Sequence, residues 1–202
     1  LNRAHIPMAY SSGFSPHPRI SYANASATGA ASEAEYLEVA LAEICDPDKV
    51  LTVLGTEMPP GMEVLEVVET DRTPFTELLT ASAWLIAPAG EVAGLAEAVK
   101  AVMTAETVEV ERMTKSGMRT FDVRAALIGL DVSDGKLRLM LRHVTPLVRP
   151  DDVLRALAEK CPALDVDAAR ATRLAQGACD EDASGVSTVL ADPFSRAAVT
   201  VW

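Results

Sequence analysis

The sequence predicts an α+β chain of two tandem split βαβ units, the ferredoxin-like arrangement, with antiparallel sheets. The first unit is expected to lack its opening strand and helix. Three observations lead there. Short stretches of period-two alternation recur along the chain, amphipathic helical stripes fall between them, and a strand–helix–strand order is met twice. The 202 residues suffice for a sizeable core, and with aromatics at 4% that core must be filled by Leu, Val, Ala and Ile.

Each element has a local cause. Residues 1–4 read as the last turn of a helix whose body is missing, and the chain opens on Leu1 rather than Met, as a piece cut from something longer would. The stretch 10–19, YSSGFSPHPR, is dense in Ser, Gly and Pro and forms a loop or an irregular strand. Residues 20–22 make a short strand. In residues 35–41, Leu37, Val39 and Leu41 share one face while Tyr36, Glu38 and Ala40 share the other, which describes a half-buried strand. Asp46-Pro47-Asp48 opens a helix: Asp46 accepts an orphan amide, Pro47 has no N–H to leave unpaired, and Asp48 complements the dipole. Val50, Val53 and Leu54 are its buried stripe, and Pro59-Pro60-Gly61 ends it. Val64, Val67 and Val68 argue for a strand over 62–68.

The second unit starts with an apolar strand, 83–87, closed by Pro88, then a helix over 91–103 with Val92, Leu95, Ala96, Val99 and Met103 on one side. Residues 108–113 alternate, Lys115-Ser116-Gly117 turns, and 119–123 returns as a hairpin. Asp122 caps a short helix carrying Val123, Ala126, Leu127 and Leu130. After the turn Ser133-Asp134-Gly135 comes the clearest strand, with Leu137, Leu139 and Leu141 inward and Arg138, Met140 and Arg142 outward. Pro150 with Asp151 and Asp152 opens a helix bearing Val153 and Leu157, and a short strand follows at 170–174. Residues 177–202 show no sustained period and read as a flexible tail. The predicted domains are thus 1–70, 77–176 and that tail.

The net charge is −11, which argues against DNA, bulk nucleic acid or an anionic membrane as a partner. The charge is unevenly spread. Residues 1–111 hold 5 basic and 17 acidic side chains, a net −12, whereas residues 112–155 hold 9 and 5, a net +4. That basic stretch is either a set of solvated strand faces or a docking patch for an acidic partner or phosphate, with Arg119, Arg138, Arg142 and Arg149 converging on one face. Cys45, Cys161 and Cys179 have neither zinc-knuckle nor redox-dithiol spacing, nor the close triplet that holds an iron–sulfur cluster. Cys45 and Cys161 are expected in the core. An odd cysteine count, with no basic start and apolar run of a signal peptide, points to the cytoplasm. No apolar run reaches the ~18 residues of a membrane span.

The best candidate for chemistry is the loop. Pro16 and Pro18 on either side of His17 restrict the backbone and present the imidazole rigidly, Gly13 permits a positive φ, and Arg19 offers a planar fork. His17 and Arg19 are expected to line a pocket with Ser12 or Tyr36. The plain alternative is a proline-braced turn. Glu33 and Glu35 read as a solvated strand edge, His143 as a surface histidine and Trp84 as core. No Ser-His-Asp spacing, phosphate-binding glycine loop or HExxH pattern is present, so no catalytic residue and no metal ligand is assigned.

The segment YSSGFSPHPRISYA, followed by SEAEYLEV at 32–39, resembles the start of a bacterial family usually called radical-SAM-linked proteins, of unknown function. The K-x-G-x-R-x-F-D-V-R stretch from Lys115 to Arg124, R-P-D-D-V-L-R-A-L from Arg149 to Leu157, and T-R-L at Thr172 to Leu174 extend the resemblance over roughly residues 1–175. Members of that family begin with a strand and a helix that precede this point. The resemblance implies a non-catalytic accessory domain that docks on, or presents substrate to, a B12-binding radical SAM protein. The iron–sulfur cluster, SAM and cobalamin would then belong to the partner. The ligand- or partner-binding candidates are Ser12, Gly13, His17, Arg19, Tyr36, Lys115, Arg119, Arg124, Arg138, Arg142 and Arg149. The alternative is an RNA-binding or RNA-processing protein, in which the basic stretch meets an RNA backbone and His17 serves as a general base.

Overall fold

The computed structural model describes residues 3–70, 73–114, 117–179 and 189–202. In chain order the elements are β1 (Ile20–Ala23), β2 (Ala31–Ser32), β3 (Tyr36–Val39), α1 (Pro47–Glu57), α2 (Phe75–Leu78), β4 (Ala81–Ala87), α3 (Leu95–Thr104) and β5 (Glu109–Thr114). There follow β6 (Gly117–Asp122), α4 (Val123–Ala126), β7 (Leu127–Ser133), β8 (Lys136–Arg142), α5 (Pro150–Lys160), β9 (Arg170–Gly177), β10 (Val189–Ala191) and β11 (Ala198–Thr200). The architecture is mixed α+β, with several antiparallel sheets and few helices. Two compact units divide the chain. One holds Leu1–Ala25 and Tyr36–Phe75, the other Ser26–Glu35 and Thr76–Trp202. The short segment Ser26–Glu35, expected within the first domain, thus belongs to the second unit.

In the first unit β1 pairs antiparallel with β3, in the register Ile20↔Val39 to Ala23↔Tyr36. Its core is Ala4, Ile6 and Met8, against which Ile20, Val39, Leu41, Val50 and Leu54 pack. Helix α1 forms as its start signal dictates, with the Asp46 carboxylate accepting the Asp48 amide at 3.0 Å. Val53, expected in the buried stripe, faces outward, and no residue of α1 is fully buried. Leu37, expected inward with Val39, is 48% exposed. The small core underlies only the Ile20–Val39 end of the ladder, so the same face is bare where Leu37 opposes Tyr22. Residues 62–68, expected as a strand, carry no strand, and Leu65 stands 72% exposed. Valines favour extended backbone, but a strand exists only where a neighbour takes up its amides and carbonyls.

The second unit is built on a five-stranded sheet of order β2-β9-β4-β8-β7, in which β2 runs parallel to β9 and the other pairs are antiparallel. One face buries Trp84, Ile86, Leu137, Leu139 and Leu141 against α3 and α5. The alternation read for β8 holds, since these leucines point inward as expected. The opposite face is not bare: Ala81, Ala83, Ile128 and Met140 meet Leu190, with Val201 and Trp202 packed beside them. Within residues 177–202, expected as a tail, β10 and β11 pair antiparallel, and Leu190 of β10 with Val201 and Trp202 supplies that cover. The nine residues 180–188 lie outside the described residues.

Two further expectations change. The helix begun by Asp122 covers only Val123–Ala126, and Leu127 and Leu130 lie in β7 instead, paired with Leu141 and Leu139 of β8. Their spacing suits a helical stripe equally well, and cross-strand pairing decides the matter. Cys161 is core, with its thiol 3.3 Å from the Ala93 carbonyl, but Cys45 is only half-buried.

Candidate functional site

The loop of residues 10–19 is closed on itself. The Ser11 amide donates to the His17 carbonyl at 2.9 Å, the His17 amide donates to Ser11 Oγ at 3.0 Å, and Tyr10 bridges to Pro18. The Arg19 amide donates to the Ala9 carbonyl at 2.9 Å. Gly13 takes φ +133°, a left-handed-side conformation that side chains disfavour, and Phe14 follows it at the tip. Ser12, Gly13, His17 and Arg19 are all exposed, and so is Phe14, at 106%. Tyr36 does not join them. It lies at the opposite end of the β1–β3 ladder from Arg19 and stacks edge-on against Phe75 at 6.3 Å. Of the two partners expected for His17 and Arg19, Tyr36 is thus placed elsewhere, while Ser12 is exposed on the same loop as they are; the loop displays its residues to solvent.

The arginines of residues 112–155 do not share one face. Each follows the face of its own element. Arg138 pairs with Asp131 at 2.7 Å and lies over the Trp202 ring at 5.8 Å. Arg119 is exposed on β6, directly opposite Arg112 on β5. Arg112 reaches inward, 4.1 Å from the Phe121 centroid, to donate to the Leu147 carbonyl at 3.1 Å and pair with the buried Asp152. Arg149, itself exposed, donates its amide to the same carboxylate at 2.9 Å. Burial pushes the Asp152 carboxyl above the ordinary aspartate value, against the Arg149 amide and the charges of Arg112 and Arg155. Lys115 lies outside the described residues. Arg124 and Arg142 meet elsewhere, lining a groove of about 470 Å³ with Glu106 and Asp122, between the end of α3 and the start of β7.

A third constellation lies in the second unit under the segment Ser26–Glu35. Arg173, 2% exposed, donates from Nε to Ser32 Oγ at 3.1 Å, pairs with Glu35, and stands 5.3 Å from the Trp84 ring centroid. The Glu33 amide donates to the Arg173 carbonyl at 2.9 Å, and Gln176 Nε2 donates to the Ala34 carbonyl at 2.7 Å. Trp84 Nε1 donates to Ser82 Oγ at 2.8 Å, and His143 Nε2 is 3.0 Å from that same oxygen. His143 Nδ1 lies 2.7 Å from the Leu79 carbonyl, which can only accept. The proton therefore sits on Nδ1, and Ser82 donates to Nε2. Burial pulls the imidazole below its ordinary value, the Leu79 carbonyl opposes this, and the Arg173 charge adds to it. His143 is thus no surface histidine, and Glu35 no merely solvated edge. The Ser82–His143 contact is not a nucleophile site, because Ser82 is itself buried. Among the described residues no group of three His, Cys, Asp or Glu is placed to hold a metal ion. Nor is any of their helices long and apolar enough to cross a membrane.

Residues 1–150 match the family model described as "Uncharacterized protein conserved in bacteria (DUF2344)". The chain belongs to that family. No curated protein and no solved structure matches it. In this DUF2344 chain the matched span takes in the Phe14 loop, β1 and β3, and both arginines of the groove, while Arg173 lies beyond it. The residues that sequence reasoning missed are Ser82, His143 and Arg173. An alternating strand says nothing about which polar side chain finds a buried partner far along the chain.

Proposed function

We propose that this DUF2344 chain is a non-catalytic docking module whose contact surface is the loop of residues 10–19 with the neighbouring face of β1 and β3. The observation that carries the reading is Phe14, wholly in solvent at the tip of a loop braced by its own hydrogen bonds. Burying one such ring gains about 2–3 kcal/mol, and a loop already held in place loses little entropy on binding. Tyr22, 69% exposed, and Leu37 opposite it add an apolar face on the same unit. Aromatic anchors of this kind carry most of the energy in protein interfaces. His17 and Arg19 beside them supply polar contacts that set orientation.

The partner of choice is the B12-binding radical SAM protein that the signature motifs imply, which would contribute cluster, SAM and cobalamin. The finer fold reading supports a module of this type. In the second unit the antiparallel order β9-β4-β8-β7, with α3 and α5 on one face, suits a split βαβ, ferredoxin-like unit. A second reading, RNA binding, draws on the exposed rings of Tyr10, Phe14 and Tyr22 as stacking platforms. The net charge and the internal pairing of Arg112 and Arg138 weigh against it.

The test is co-expression of the full-length protein with a B12-binding radical SAM protein from the same bacterium, followed by size-exclusion chromatography and sequencing of any bound RNA. A stable complex is expected, with Phe14→Ser weakening it at least tenfold and leaving the circular dichroism spectrum unchanged. Free partners, an equally tight Phe14→Ser complex, or RNA in place of protein would overturn the reading.

A further inference from the structure

We infer that residues 63–69 form a recognition strand that adds, edge to edge, to a β-sheet of a partner protein whose edge strand carries Lys or Arg. The stretch reads EVLEVVE and has the composition of a strand, with Val64, Val67 and Val68 β-branched and Leu65 among them. Residues 62–70 contain no helix, turn or bend, so the chain runs on there without reversing. Among the described residues none exchanges a backbone hydrogen bond with residues 63–69; the Met62 amide, on the Pro59 carbonyl at 3.1 Å, lies just outside. Met62, Leu65 and Val68 meanwhile stand exposed. A row of unpaired amides and carbonyls beside exposed apolar side chains is the template that strand addition uses.

The kind of partner follows from charge and from the size of a stable sheet. Glu63, Glu66 and Glu69 place three carboxylates in seven residues, and residues 50–70 hold no Lys, Arg or His to offset them. Side chains alternate along a strand, so Glu63 and Glu69 share one face with Leu65 and Val67, and Glu66 shares the other with Val64 and Val68. Each face thus joins apolar side chains to carboxylate, and Lys or Arg directly opposite stabilises the pairing where Asp or Glu would weaken it. A second copy of the chain is a poor match. Paired antiparallel about Glu66, it sets Glu66 against Glu66 and Glu63 against Glu69. Two strands alone are marginal in water, so the occupant is the edge of an existing sheet rather than a loose peptide. The inference rests on the docking reading only in taking the partner to be a protein; the loop of residues 10–19 and this segment belong to the same unit.

The experiment is photo-crosslinking of the full-length protein in its own bacterium, with Leu65→benzoylphenylalanine and, separately, Phe14→benzoylphenylalanine. Mass spectrometry of the joined peptides and amide exchange on the purified complex follow. Adducts from position 65 are expected on a Lys- or Arg-bearing strand at a sheet edge of another protein. In that complex residues 63–69 should exchange at least tenfold more slowly than in the chain alone. At least one of Val67→Pro and Val68→Pro should weaken the complex at least tenfold, since neighbouring amides point to opposite edges and proline has none. Val67→Thr and Val68→Thr, which keep the amide, should leave it unchanged. Glu63→Gln, Glu66→Gln and Glu69→Gln combined should weaken it at least tenfold. The natural chain decides the matter even where a proline variant unfolds. A strand adduct on a protein other than a radical SAM protein supports this inference while removing the partner named above. Adducts from position 14 alone would overturn this inference and not the docking reading, whereas no adduct from either position would overturn both. Adducts from position 65 confined to a second copy or to a helix, amides of 63–69 that exchange freely in the complex, or the same amides already protected in the chain alone would also overturn it.

Discussion

At the scale of single residues, burial decides what a charge or a proton does. Arg138 and Arg173 are both paired with carboxylates, but the first pair is open to solvent and the second is built around a buried guanidinium. Open pairs contribute about 0–1 kcal/mol, whereas an abandoned buried charge costs several times that. His143 shows the same effect on a titrating group. Its imidazole is held below the value of about 6.5 that it regains on unfolding. As pH falls through that value the unfolded chain takes up a proton that the native state resists, so the contribution of His143 to stability is full above it and declines below it. Urea midpoints measured from about pH 7.5 down to about pH 5.5 are expected to fall more steeply for the natural chain than for His143→Gln. Equal slopes would place the titration on another group. The pairing of His143 with Ser82 could not be read from sequence, because sixty-one positions separate them.

Among the elements, legibility tracks locality. Helices α1 and α5 start where Asp-Pro-Asp and Pro-Asp-Asp place them, because a cap is chemistry between near neighbours: Asp46 accepts the Asp48 amide two residues on, and Asp152 accepts the Arg149 amide three residues back. Asp122 does more than Asp46. It holds the Arg124 amide at the start of α4 and the Val108 amide at the entry to β5, tying both ends of the hairpin. Asp46→Ala should cost about 1 kcal/mol. Asp122→Ala should cost about 2 kcal/mol, since it strands two amides rather than one. Equilibrium urea denaturation of the two variants checks the ranking, and equal losses would mean that the second amide finds water. Strand β7 escaped notice because Val123, Ala126, Leu127 and Leu130 satisfy a helical stripe, and only the β8 ladder breaks that tie. The valines of 62–68 failed in the opposite direction, having the propensity without the neighbour.

For the whole molecule, the division into two units does not follow chain order. A cut near residue 75, where composition suggests a boundary, leaves Ser26–Glu35 on the wrong side. A fragment of residues 76–202 would keep the buried Arg173 but lose Ser32, Glu35 and the β2 edge. It should be less stable than the second unit of the full chain by about 2 kcal/mol, a figure reduced because Glu35 is half exposed. Glu35→Gln in the full chain should reproduce part of that loss. Matching urea midpoints for fragment and full chain would show that the segment adds nothing.

What the amino-acid order determined unaided was whatever is settled within a few residues: the starts of α1 and α5, the β5–β6 pairing, the inward leucines of β8 and the proline-rich loop at 10–19. Each rests on near-neighbour hydrogen bonding or on the period of the backbone. Only the tertiary structure decided that Arg173 is buried beneath Ser26–Glu35, that Leu37 is bare, that β10 and β11 cover the second sheet face, and that Arg124 and Arg142 share a groove. Those outcomes depend on which distant surfaces meet, and desolvation acts only where surfaces have met.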